Sequence, residues 1–380
     1  MTGQTTALPW IWSASIEFPS HVCQSHGYST CLILFAFYHK IDNLWVGWLL
    51  PVPQHRRPPA PQCTPETTVV RKDWNAMTDA EKRALLSGMR CLQSLPSIHP
   101  AGLIPAAESL FDDFVAVHIS VTPLTHKTAI FLAWHRHFIW LMEQALHAHC
   151  HYPRLLGIPY WNWAAANYSL DTLFGAADPG FGGAIGGDAA DGPPPPDACV
   201  TDGPFANLTV RFGPLDLGGA EGRAAVATWK LPRPQCLARA VNRQFAARYL
   251  APDLLQRAFD APDVDALQEA VAGPRSTPAL HGWGHFTVGG QMADSFCASA
   301  DPVFYLLHSM VDRLWTLWQA KDEAKRRWAY CCEDTKRLFF DEPARKATPD
   351  TPLEFGVLGG QVAMRETMDP TGGRYCYRYD

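Results

Sequence analysis

The sequence predicts a mainly α-helical fold with long irregular loops and little β structure. Residues 131–146 carry the clearest helical signal: Phe131, His135, Phe138, Ile139, Met142, Ala145 and Leu146 recur at the spacing of a helix packed inward. Helix-start chemistry appears twice more, as Thr78-Asp-Ala-Glu81 and as Asp301 followed by Pro302. Against these, residues 175–196 are rich in glycine, alanine and aspartate and include four consecutive prolines, which hold neither a helix nor a central strand.

At 380 residues, 47% hydrophobic and 12% aromatic, the chain can bury a sizeable core and is not a disordered protein. A net charge of −5 with dispersed Lys and Arg offers no basic stripe, which argues against a nucleic-acid partner. The eleven cysteines contain no CxxC pair, so a zinc ribbon is excluded. Their spread permits structural disulfides in an oxidising compartment, and the sequons Asn167-Tyr-Ser and Asn207-Leu-Thr are compatible with secretion.

Residues 1–62 read as an atypical extension and proline-rich linker, followed by one domain over 63–380. Two apolar runs, 31–38 and 44–50, are separated by His39, Lys40, Asp42 and Asn43, and neither reaches the ~18 residues of a membrane span. No Lys or Arg precedes Lys40, so no standard signal peptide is visible. Residues 51–61, with His55, Arg56 and Arg57 among prolines, mark the boundary.

Order is expected from about Val69. The Thr78 hydroxyl and Glu81 carboxylate form a capping box for a helix running to about Ser94, before Pro96. A second helix is expected over 106–119, with Leu110, Phe114, Val117 and His118 on one face and Asp112 and Asp113 off it. On the 131–149 helix His135 points inward, while His137 is rotated by about 200° and faces elsewhere. Residues 157–163 then turn the chain into an irregular region, and 171–235 read as a long, β-poor insertion. Helical pattern returns at 239–259 and 264–271. Two last elements follow at 278–286 and 301–319, the second capped by Asp301 with Phe304, His308, Val311, Trp315 and Trp318 on one face. There is no internal repeat of 20 to 50 residues.

Two histidine triplets stand out. His118, His126 and His135 form one; His281, His285 and His308 form the other, and each ends on a helix whose face is otherwise core. His281 and His285 are four apart, so on a helix they project from the same side. Buried imidazoles without partners are costly, and metal coordination supplies the partners. All-histidine sets suit copper or zinc, and three nitrogens per metal leave a position open for an exogenous ligand.

At these residues the sequence resembles the type-3 copper proteins, namely tyrosinases, catechol oxidases and haemocyanins. The eight-residue step from His118 to His126, the nine-residue step to His135 within Phe131-Leu-Ala-Trp-His-Arg, and the His281-x-x-x-His285 pair all match. So does Asp301-Pro-x-Phe-x-x-x-His308-x-x-x-Asp312-Arg-Leu-Trp315. The likeness covers residues 69–380 and is nearest to short fungal polyphenol oxidases, where Arg71-Lys-Asp-Trp74, Cys199-Val-Thr-Asp-Gly-Pro-Phe205 and Tyr375-Cys-Tyr-Arg-Tyr379 also fit.

The resemblance implies a four-helix bundle around two copper ions, His118, His126 and His135 holding copper A and His281, His285 and His308 holding copper B. It implies oxidation of o-diphenols to o-quinones with dioxygen as co-substrate, extending to o-aminophenols or monophenols, with a small phenol and no nucleic acid or membrane span as partner. Phe131 is similar to the family's aromatic wedge between ligand helices. Residues 292–300 are expected to line the substrate entrance, with Phe296 as a gate. Two other functions use the same histidines: a reversible dioxygen carrier, against which the lack of an assembly segment argues, and a zinc-binding relative with altered activity.

Three departures from the family pattern bear on the chemistry. Leu307 stands where many members have a non-ligand histidine before the last copper B ligand, a place linked to zinc in some relatives. Leu124 stands where many fungal members have a cysteine joined to a histidine, so no thioether is expected. Gly282, directly after His281, replaces the asparagine associated with monophenol hydroxylation, which favours diphenolase or o-aminophenol oxidase activity. Arg136, Glu143, Asp312 and Arg313 are expected in a structural ion-pair network, and Arg71 against the terminal tyrosines. On placement, Cys91 pairs with Cys150 and Cys199 with Cys236. The secretory pathway is the expected location.

Overall fold

Helix caps set the starts of the main elements in a computed structural model that describes residues 34–41, 44–51, 63–165, 169–175, 178–183, 199–216, 219–274, 277–331 and 346–380. Residues 1–33, the linker beyond Pro51, the sequon at Asn167 and most of the 175–196 run lie outside the described residues. The chain divides into two units, Met1–Pro59 and Ala60–Asp380. In the first, β1 (Leu34–Ile41) pairs antiparallel with β2 (Leu44–Pro51), Leu34 standing opposite Pro51.

In the second unit a short strand, β3 (Val69–Arg71), leads into α1 (Asp79–Ser94). Both arms of the Thr78–Glu81 capping box are present, and the helix stops where the sequence predicts. The next helix, α2 (Leu110–Thr125), starts later and ends later than expected. Its start is set by a second capping box, in which the Asp112 carboxylate accepts the Ser109 N–H at 2.9 Å and the Ser109 hydroxyl accepts the Asp112 N–H at 3.1 Å. Its end runs two residues past Pro123, and the His126 N–H closes the last turn on the Thr122 carbonyl.

The central helix, α3 (Phe131–His149), is buried on every side over its N-terminal half, including Arg136 and His137, and Glu143 further along is buried too. The one-face expectation therefore placed His135 rightly but missed that polar neighbours are enclosed as well. The insertion is less irregular than expected: it holds α4 (Leu170–Phe174), α5 (Gly219–Ala227) and a ladder of β4 (Thr209–Val210) on β5 (Gln235–Cys236). The helical pattern after 239 resolves into α6 (Arg243–Tyr249) and α7 (Pro252–Phe259), divided because Pro252 begins a new helix at its first position, then α8 (Val264–Ala272).

Two ligand-bearing candidates follow, α9 (Leu280–Val288) and α10 (Val303–Ala320). The assigned cap of α10 is Pro302, one residue past the expected Asp301, yet Asp301 performs the capping: its Oδ1 accepts the Val303 N–H at 3.0 Å. The buried Arg239 holds the same carboxylate through Nε at 2.6 Å and Nη2 at 2.8 Å. The chain closes with α11 (Glu323–Arg326), β6 (Pro352–Glu354), α12 (Gly356–Gly359), β7 (Gln361–Ala363) and β8 (Tyr377–Tyr379).

Packing of α10 on α3 and α9, and of α3 on α1 and α2, makes a helical core around which the short two-stranded ladders are peripheral. The fold is mainly α, as expected. No helix among the described residues is long and apolar enough to cross a membrane.

Both ends of this unit are tied together. Strand β3 runs parallel to β8, with Arg71 beside Tyr379, and Cys63 is bonded to Cys376, a link the sequence reading did not include. The pairs Cys91–Cys150 and Cys199–Cys236 are both present. Arg71 reaches inward, giving Nε to Glu143 at 3.0 Å and Nη1 to Asp312 at 3.0 Å, while its guanidinium lies 3.7 Å from the centre of the Tyr377 ring. Asp312 also accepts Arg136 Nε at 2.6 Å and the hydroxyls of Tyr377 and Tyr379 at 2.7 Å each. Arg313 does not join this network; it stacks 4.7 Å over the Tyr160 ring.

Candidate metal centre

The first triad comes from the end of α2 and the start of α3. His118 is fully buried, and its Nδ1 donates to the Phe296 carbonyl at 2.9 Å. His126 stands at the C-cap of α2, where the backbone turns extended, and its Nδ1 donates to the Thr122 carbonyl at 3.1 Å. One turn into α3, His135 Nδ1 donates to the Phe131 carbonyl at 2.8 Å. A carbonyl can only accept, so Nδ1 carries the proton in each ring and Nε2 is left with its lone pair. The Nε2 atoms of His118 and His135 are buried and have no hydrogen-bond partner.

The second triad comes from α9 and α10. His281 and His285, four residues apart on α9, project together toward His308 of α10. His285 Nδ1 donates to the Met292 carbonyl at 2.9 Å. The three Nε2 atoms stand 2.9 Å (His281–His285), 3.2 Å (His281–His308) and 3.3 Å (His285–His308) apart. Two bonds of ~2.0 Å meeting near ~109° place their nitrogen ends ~3.3 Å apart, so this spacing is that of a ligand set.

Within each triad one nitrogen from every ring lies within 4.8 Å of the other two. Orphaned buried lone pairs, Nδ1 protons pinned by carbonyls in His118, His126, His135 and His285, and the absence of carboxylate or thiolate donors from the triads all fit a nitrogen-preferring ion such as copper. The electrostatics agree. Burial, opposing the imidazolium form, pulls His126 down to about 4 and His285 to about 3. Burial and then the neighbouring histidines hold His118, His135, His281 and His308 well below the usual imidazole range. All six are neutral at physiological pH, the form that coordinates.

Aromatic rings enclose the triads. Phe131, buried, lies 4.8 Å from both the His135 and the His281 rings. Phe304 lies 4.2 Å from His308 and 5.1 Å from His118. A cleft of about 400 Å³ opens over the pair, lined by His126, Phe131, His281, Gly282, His285 and Phe286 among others. Met292, Ala293 and Ser295 line it too, but Phe296 does not: its ring is buried, and its carbonyl orients His118. The exposed aromatic at the mouth is Phe286, which the sequence reading passed over. Leu307 is packed against Gly284, where any added Cβ would collide with it, so the apolar residue beside His308 is a close α9–α10 contact.

His137 is enclosed elsewhere. Its Nδ1 lies 2.7 Å from the Tyr375 hydroxyl and its ring stacks on Trp140, away from both triads.

Known proteins are similar to this chain. Residues 108–321 match the common central domain of tyrosinase. Tyrosinase P of Aspergillus terreus is 33% identical over 340 residues, spanning 84% of this chain and 94% of that protein. The N-acetyl-6-hydroxytryptophan oxidase of Emericella nidulans is 35% identical over 349 residues, with the same shares of each chain. Among solved structures, a variant of the polyphenol oxidase from Thermothelomyces thermophila matches with a TM-score of 0.73 at 30% identity, covering 84% of this chain and 90% of that one. With six inward imidazoles in two facing sets, the chain belongs to the tyrosinase family of type-3 copper proteins, a family of copper oxidoreductases that use dioxygen.

Proposed function

We propose that this chain oxidises o-diphenols, together with o-aminophenols, to the corresponding o-quinones or quinone imines, with dioxygen as oxidant. The observation that carries the reading is the open cleft leading to two buried all-histidine triads. In this reading His118, His126 and His135 hold copper A, and His281, His285 and His308 hold copper B. When bound, the copper pair supplies two one-electron acceptors and a place for dioxygen.

The chain's own residues do the positioning. Carbonyls of Phe296, Thr122, Phe131 and Met292 fix ring orientation through Nδ1. Phe131 and Phe304 exclude water from the imidazoles. A substrate ring enters between Phe131, Gly282 and Phe286 and presents its two adjacent oxygens toward the His281–His285 side. Gly282 offers no side-chain amide that would orient a base toward a monophenol's proton, which supports diphenols over monophenols. The hydroxyindole named for the Emericella nidulans relative extends the candidates to bicyclic phenols. The disulfides Cys63–Cys376, Cys91–Cys150 and Cys199–Cys236 among the described residues support a secretory location.

Oxygen uptake and quinone absorbance with catechol, o-aminophenol and phenol test the reading. Catechol and o-aminophenol are oxidised faster than phenol; phenol oxidised as fast as catechol, or no turnover of any of them, overturns it.

A further inference from the structure

The mouth of the cleft carries charges of both signs. Asp216 and Lys127 both line it, and Arg233 stands behind the loop that bears Asp216. Neither cation is seen to pair with Asp216; the bonds each makes to neutral acceptors fix where its charge sits. Lys127 Nζ donates to the Pro274 carbonyl at 2.6 Å and the Thr277 carbonyl at 3.2 Å, which draws it onto the α8–α9 connection. Arg233 donates to the Thr228 hydroxyl at 2.8 Å and the Pro214 carbonyl at 3.4 Å.

Asp216 is differently placed. It is exposed at the rim, its Oδ2 accepts the Ser295 hydroxyl at 2.7 Å, and no cation pairs with it among the described residues. Its position is fixed from beneath by Asp294, a buried carboxylate. Asp294 Oδ2 accepts the N–H groups of Leu215 at 2.6 Å and Asp216 at 3.2 Å, and Oδ1 those of Phe296 at 2.9 Å and Cys297 at 3.0 Å. The loop that presents Asp216 is thus tied to the segment whose carbonyl orients His118. Two carboxylates, one behind the other, stand on this side of the mouth; burial, and then Asp294 and Asp216, push the Cys297 thiol up. Phe131, Gly282 and Phe286, which also line the cleft, are apolar and discriminate no charge.

We propose that Asp216 selects among phenols, favouring those whose ring carries a cationic amine side chain over those that carry a carboxylate. This rests on the reading of the cleft as the phenol site. An exposed carboxylate separates the two classes by about two- to fivefold, and the preference weakens as salt is raised.

Calorimetric titration of the copper-loaded protein with 2-phenylethylamine and with phenylacetate, neither of which has an oxidisable hydroxyl, reads the preference as binding. The ratio of kcat/KM for dopamine to that for 3,4-dihydroxyphenylacetate reads it as turnover. In the native protein both ratios favour the amine; Asp216→Asn brings them to about one, and Asp216→Lys inverts them. A carboxylate preference in the native protein, or the same ratio in native protein and Asp216→Asn, overturns the proposal. Should the binding ratios respond as described while neither catechol is oxidised, the role of Asp216 stands and the oxidase reading falls.

Discussion

The ring of His135 lies flat against that of His308, centroids 4.2 Å apart and planes 12° from parallel, so the two triads meet through the last member of each. α3 and α10 are the most extensively packed pair of helices in the domain, and this contact is where their cores converge. Each ring belongs to one triad and supports the other by packing. His308→Ala therefore removes one copper ligand and loosens His135, and His135→Ala does the reverse. Both variants lose catechol oxidation by at least about 100-fold and bind less than the full copper complement, read by metal analysis. Full copper and full activity in either variant contradict the ligand assignment.

Gly284 bears on the same geometry from the other side. A Cβ there collides with the Cδ1 end of Leu307, next to His308, and Leu307 is fully buried, so its side chain must repack. Gly284→Ala is expected to destabilise the protein by about 1–3 kcal/mol and to lower copper affinity, because the buried Leu307 must repack at the α9–α10 contact beside His308. Thermal unfolding with and without copper measures both effects; unchanged affinity would show that the two helices yield without disturbing the triad.

Asp312 is the hub of the buried ion pairs. Leaving Arg71 and Arg136 without it costs about 3–5 kcal/mol, so Asp312→Asn lowers the urea midpoint sharply. Burial opposes its charge, yet Arg136 and Arg71 hold its carboxyl below the usual aspartate range. A depressed folded value means that the unfolded chain binds the proton first as pH falls. The stability difference between native protein and Asp312→Asn is accordingly constant above about pH 5 and shrinks as pH drops below about 4. A difference that grows in acid would reverse the assignment.

Cys63 and Cys376 are separated by 313 residues, and their bond closes the largest loop in the domain beside the β3–β8 ladder. Cys376→Ser, made together with Cys63→Ser, is expected to cost about 2–5 kcal/mol while leaving the helices that carry the triads assembled. Unfolding midpoints give the first quantity and copper content the second.

The six histidines were legible because helical periodicity singles out an imidazole where core belongs, and because two such positions recur with fixed spacings. What surrounds them was less so. The acceptors that orient His118 and His285 are the main-chain carbonyls of Phe296 and Met292, and every residue has a carbonyl, so no residue type announces the role. For the same reason Phe296 reads as a gate from its position, although the structure turns its ring inward and leaves Phe286 at the mouth. Arg136 and Glu143 were expected in an ion-pair network, and both pair inside the core, Arg136 with Asp312 and Glu143 with Arg71, partners contributed from far along the chain. The late start of α2 was visible in Ser109-x-x-Asp112, a capping box with aspartate in place of the commoner glutamate. The Cys63–Cys376 bond carried no local signal, since only the parallel pairing of β3 with β8 brings those cysteines together.

The central claim is a dicopper oxidase site, and metal content measured alongside oxygen consumption tests it most directly. Protein loaded with copper and freed of excess metal should hold two copper ions per chain, one for each triad, and should consume one dioxygen for every two catechols converted to quinone. A protein that retains only zinc, or that binds two copper ions yet consumes no oxygen with catechol, contradicts the account.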